Sequence, residues 1–166
     1  MEIVSINKSI RLSEHFSLGE VTKSSHTEIN NIPSHVAIEN LKRVCVWLED
    51  LRFTYNSLYC LKPGEDYETS KNVEPIIINS GYRSPELNKK VGGAPTSNHL
   101  TGCAVDIHVA GIEQAMRYAV ILMDYADETK QDYDELLIER NSKGHYWVHF
   151  AVRPKGNRRK TMMIQT

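Results

Sequence analysis

Ser97-Asn98-His99-Leu100-Thr101-Gly102-Cys103-Ala104-Val105-Asp106 is the stretch on which the reading of this 166-residue chain turns. From Cys103 to Val109 the residues alternate as in a strand, with Cys103, Val105 and Ile107 on one face and Ala104, Asp106 and His108 on the other. Core-building alone does not place an aspartate inside a strand or a histidine just before it. A turn at Gly102 brings His99 and Asp106 to one side of a sheet, and Ala104 is small enough to leave room for an ion. Further along, Tyr146, Val148, Phe150 and Val152 alternate with Trp147, His149 and Ala151, so His149 lies opposite most of the apolar side chains. Two histidines and one carboxylate form a catalytic zinc ligand set that keeps a fourth position for water. Taken only as spacing, the same residues also fit a satisfied histidine beside a strand-edge aspartate.

Upstream, Pro75 to Asn79 is a short β-branched run that predicts a buried strand ended by Gly81. Ser84 followed by Pro85 opens a short helix through Lys90, which Gly92-Gly93-Ala94-Pro95 then breaks. Ser17 and Glu20 have the spacing of a capping box, with Phe16 and Val21 as its staple. Ser34 caps a long amphipathic helix carrying Leu41, Val44, Cys45, Leu48, Leu51, Tyr55 and Leu58. Residues 61–73 read as a surface loop. Downstream, a helix is expected from about Ile112 to Asp127, apolar nearly all round and therefore well buried. Glu135–Arg140 and Tyr146–Val152 read as two strands pairing antiparallel through a hairpin loop at 141–145. Between Arg153 and Lys160 five of eight residues are basic, which reads as a solvated terminal segment, with contact to an anionic polymer as the alternative.

At 40% hydrophobic and 25% charged, the chain has the balance of one soluble globular domain, 1–166, with a basic segment at 153–166. A formal net charge of -1 argues against nucleic acid or an anionic membrane as partner. No apolar run is long enough for a membrane span or a secretion signal, so synthesis in the cytoplasm is expected, as is a monomer. Cys45, Cys60 and Cys103 lack any metal-binding or redox spacing, and Cys45 and Cys60 read as buried reduced thiols.

Several motifs in order resemble the M15 peptidases, the zinc D-Ala-D-Ala carboxypeptidases whose fold is shared by Hedgehog signalling domains. The stretch from Ser97 to Asp106 is similar to their SxHxxGxAxD motif, Ser80-Gly81-Tyr82-Arg83-Ser84-Pro85-Glu86-Leu87-Asn88 to the segment that precedes it, and Trp147-Val148-His149 to the closing WxH. Leu12 to Leu18 resembles the opening of the phage-type branch, and the likeness runs from about Leu12 to Arg153, which implies a domain core at about 12–153. The resemblance implies an α+β, Hedgehog/DD-peptidase-like fold in which a small antiparallel sheet carries the zinc site and packs against helices. It implies zinc on His99, Asp106 and His149, with Arg83 binding the substrate carboxylate or the developing oxyanion and Ser97 contacting the peptide or a neighbouring group. The expected substrate is the stem peptide of bacterial peptidoglycan, cut by a carboxypeptidase or by an endolysin-type endopeptidase. A wall substrate with no secretion signal points to phage-type release, with a cytoplasmic recycling or prophage-borne enzyme as the alternative.

Two departures matter. Cys103 stands where relatives are often polar, but its strand parity turns it away from Asp106. More seriously, many relatives carry an acid three residues before the last histidine as general base, and Tyr146 stands there. Glu139 is the expected substitute, ahead of Glu135 and His145. His108 shares the metal face without being a ligand, while His15, His26 and His35 read as surface residues or local caps. The competing reading is a non-catalytic, zinc-containing wall-binding or structural module of the same fold, favoured by the missing acid.

Overall fold

The computed structural model describes residues 7–166. The helices are α1 (Leu18–Thr22), α2 (His35–Tyr59), α3 (Pro85–Lys90) and α4 (Ile112–Thr129). The strands are β1 (Ile78–Ser80), β2 (Ala104–His108), β3 (Glu135–Arg140), β4 (Tyr146–Ala151) and β5 (Lys160–Gln165), and a 3₁₀ turn spans Asn98–Thr101. The five strands form one sheet in the order β1-β2-β4-β3-β5. An α+β chain with helices packed on a five-stranded sheet is thus what the alternation and the helical periodicities build.

The local signals act as their chemistry requires. Ser17 Oγ accepts from the Glu20 amide while Glu20 returns to accept from the Ser17 N–H at 2.7 Å, and Phe16 and Val21 are both buried. Ser34 and Ser84 cap α2 and α3 as expected. Val105 and Ile107 of β2, Leu136 and Ile138 of β3, and Val148 and Phe150 of β4 point to one face, where Trp47, Leu48 and Leu51 of α2 and Ala115 and Leu122 of α4 cover them. Each such side chain contributes about 1.5–3 kcal/mol by leaving water. Trp47 centres this layer, its ring 5.3 Å from Phe150 and 4.8 Å from Tyr125. The other face of the same strands carries the polar residues.

Several expectations need correction. The first strand begins later, at Ile78; Ile77 is exposed and Ile76 alone of the upstream isoleucines is buried. Met116 and Val120 lie exposed on α4 and Leu58 on α2, because only the sides turned to the sheet and to each other have anything to pack against. Cys60 is only half-buried, unlike Cys45, and all three cysteines are free. His15, a partly exposed surface residue as expected, is also tied to α2: its backbone N–H and its Nδ1 both lie 2.7 Å from the carboxylate of Glu49.

The largest difference lies at the C-terminus. Residues 160–165, expected as part of a solvated basic segment, form a strand parallel to β3, so the sheet is mixed and not wholly antiparallel. Its cause is the connection. β4 ends beside Glu135, where β3 begins, and the chain crosses that end of β3 in a short loop before Lys160 pairs with Glu135. Arg153 and Arg158 hold the loop down through the fully buried Asp134.

Candidate metal centre

Strand register decides which side chains meet. Asp106 of β2 pairs with His149 of β4, Ser80 of β1 lies beyond Asp106, and Leu137 of β3 lies beyond His149. In the next row His108, Trp147 and Glu139 line up; in the row on the other side Ala104, Ala151 and Glu135 do so. His99 reaches the set from the 3₁₀ turn, which Ser97 caps by accepting from the His99 amide at 3.3 Å. Gly102 ends that turn at φ +72°, and a Cβ there would stand 2.4 Å from the Ala37 carbonyl oxygen, so the turn needs glycine on both counts. Gly81 has a related role: its missing side chain lets the chain lie against Val21, and its carbonyl accepts from His99 Nδ1 at 2.6 Å.

His99, Asp106 and His149 are all buried, and their candidate ligand atoms lie within 4.8 Å of one another. Asp106 Oδ1 lies 3.3 Å from His99 Nε2 and 2.9 Å from His149 Nδ1. The other nitrogen of each ring faces an acceptor, Gly81 O for His99 and Glu135 Oε2, 3.4 Å away, for His149. Two imidazoles and a carboxylate are a donor set for a borderline metal such as zinc rather than for calcium or magnesium, and acceptors behind the rings are what histidine ligands require. The residues therefore fit a metal ion.

Charge at the centre follows from these contacts. Burial works to raise the Asp106 pKa, but His99 and His149 outweigh it and hold the carboxyl well below its usual range. Burial would lower the His149 pKa; Asp106 and Glu135 reverse this and lift it to about 9.

Arg83 also reaches the centre. Its Nη2 donates to Asp106 Oδ2 at 2.6 Å and its Nε to Ser80 Oγ at 2.9 Å, while its amide is held by the His99 carbonyl. Among the described residues Nη1 has no protein partner, so part of the guanidinium fork stays available to a ligand.

Glu139 lies on the site face, half-buried, one row from His149. Burial raises its pKa, with Asp106 and Glu135 acting in the same direction against His149 and Arg83. Tyr146 has the opposite parity and packs against the core. A cleft of about 510 Å³ runs along this side of the sheet, bounded by Ser97, Glu135, Leu137, Glu139, His149 and Arg158. His108 is exposed outside the ligand set, in a separate cleft of about 700 Å³ with His145 and Trp147 at the hairpin end. Cys103 is buried, outside the candidate ligand set, with burial pushing its thiol pKa up.

A group that the sequence reading missed surrounds Asp134. Arg158 forks onto it with Nε at 2.9 Å and Nη2 at 2.8 Å, Arg153 Nη2 approaches at 2.8 Å, and Asn98 Nδ2 donates at 2.8 Å. The acids at 132–135 and the basic run at 153–160 were visible, but only strand order shows that they meet.

The Peptidase M15 family profile matches residues 65–138. That span contains Arg83, Ser97, His99 and Asp106, stops one residue short of Glu139 and leaves His149 outside. The match supports membership of the M15 peptidase family, a family of metal-dependent peptidases. No curated protein matches the sequence at a significant level.

Proposed function

We propose that the chain is a zinc peptidase of the bacterial cell wall, hydrolysing the stem peptide of peptidoglycan as a D-Ala-D-Ala carboxypeptidase or an endolysin-type endopeptidase. One observation carries the reading: three buried ligand side chains, few enough to leave a coordination position open, stand beside a cleft lined by the half-buried carboxylate of Glu139. His99, Asp106 and His149 hold the metal. When bound, zinc supplies Lewis acidity, which acidifies water and polarises a carbonyl. Glu139 takes the proton of the attacking water and delivers it to the leaving amine nitrogen. Arg83 presents Nη1 to the substrate carboxylate or to the charge that grows on the scissile oxygen, while Asp106 and Ser80 keep the guanidinium in place. Ser97, at the cleft wall, contacts the bound peptide. No described helix is long and apolar enough to cross a membrane.

Purified protein incubated with muropeptides, with and without a chelator, tests this. Release of D-alanine or of cleaved cross-links, lost with chelator and restored by zinc, is expected. A wild-type protein that cuts no stem peptide under any metal condition refutes the reading in favour of the non-catalytic module.

A further inference from the structure

A histidine ligand needs both of its nitrogens accounted for: one lone pair aimed at the metal and one N–H held by an acceptor, which also selects the tautomer. His99 meets this through a backbone carbonyl, which cannot be changed by mutation. His149 depends on a side chain. Its Nδ1 is turned to Asp106 and its Nε2 lies 3.4 Å from Glu135 Oε2.

Glu135 is itself held from three sides. Asn98 Nδ2 donates to its Oε2 at 3.0 Å, Arg158 Nη2 donates to its Oε1 at 2.9 Å, and Lys160 Nζ lies 3.7 Å from Oε1. Two of these partners are fixed in turn by the buried Asp134: Arg158 by its fork and Asn98 by its second Nδ2 contact. Arg153 closes the ring, its Nε donating to Asn98 Oδ1 at 3.1 Å. A glutamate that served only as a solvated strand residue would need none of this, and a proton shuttle would be hindered by it.

From this arrangement we infer that Glu135 is a positioning residue for the metal centre. It sets the ring orientation and tautomer of His149, and the C-terminal loop and strand clamp it there through Arg158, with Asn98 as the second clamp. The inference rests on the metal reading above but not on the identity of the substrate. It also gives Arg158 of the basic segment, itself about half-exposed, a role at the rim of the site.

The experiment measures zinc affinity of the full chain by chelator competition, in protein shown to be folded by circular dichroism. Glu135→Ala, which removes the acceptor, is expected to weaken zinc binding about 10- to 100-fold, the usual cost of losing an acceptor behind a ligand histidine. Glu135→Asp, which keeps the charge but withdraws it by one methylene, is expected to weaken it as well and to alter the visible spectrum of the cobalt-substituted protein. Arg158→Gln should move affinity in the same direction by less. Wild-type affinity in Glu135→Ala overturns the inference, as does a Glu135→Asp protein with normal affinity and cobalt spectrum, which would leave charge alone as the cause. Failure of the wild type to bind zinc refutes the metal centre itself, a result distinct from either.

Discussion

The two ends of β3 place a carboxylate on either side of His149, and the two surroundings could hardly differ more. Glu135, at the first end, is enclosed by Asn98, Arg158 and Lys160, and the contact with His149, aided by Asn98 and Arg158, draws its pKa down to about 2 against the effect of burial. Glu139, at the second, has none of those contacts among the described residues, and burial pushes its pKa up. Identical side chains on one strand face thus acquire opposite character from their neighbours. A carboxylate held by fixed donors orients whatever it touches; one that is partly desolvated and unpaired exchanges protons.

The comparison breaks most sharply at Glu139. Glu139→Gln should lower hydrolysis of stem peptides by about two to four orders of magnitude, the range for losing a general base, with zinc content and fold retained. Muropeptide turnover and elemental analysis of the same preparation check it; retained activity would move the base elsewhere.

Arg83 sharpens the same contrast from the other side of the metal set, since it is both engaged with Asp106 and partly free. Arg83→Ala should reduce turnover by about two to three orders of magnitude. Lysine should rescue only in part, because it lacks the planar fork that reaches Ser80, Asp106 and a ligand together. Steady-state kinetics of the two variants decide this.

The smallest effect is expected beneath Glu135, at Asp134, and it is one of stability. Burial opposes ionisation there, but Arg158, Asn98 and Arg153 bring the pKa down to about 2. A carboxylate depressed on folding stabilises the native state above its unfolded pKa, and that contribution disappears as pH falls through its folded value. Stability should therefore drop between about pH 4 and pH 2 by about 2 kcal/mol from this group. Asp134→Asn should already be less stable by a similar amount at neutral pH and show a flatter acid limb in urea melts. An unchanged acid limb would mean that Asp134 is not what holds the clamp.

Much of this was legible in the residues because its causes are local. The capping serines, the turn glycine at 102, and the alternation that sends Asp106 and His149 to the face opposite Val105 and Phe150 depend on neighbours a few positions away. Alternation also sufficed to separate Glu139 from Tyr146, since parity along paired strands needs only the hairpin. What exposes Met116 and Val120 was not legible, because helical periodicity shows which residues are apolar and not how many faces find a partner.

The sequence by itself determined the donor types at the centre and the faces on which they stand, since side-chain chemistry and strand period belong to the chain. Only the tertiary structure decided that β5 lies parallel to β3, that Arg153 and Arg158 close on Asp134, and that Glu135 faces His149 while Glu139 has no such partner among the described residues. The physical reason is range. An ion pair between residues far apart in the chain forms only where strand order brings them together, and strand order comes from packing the whole sheet against α2 and α4, which no short stretch encodes.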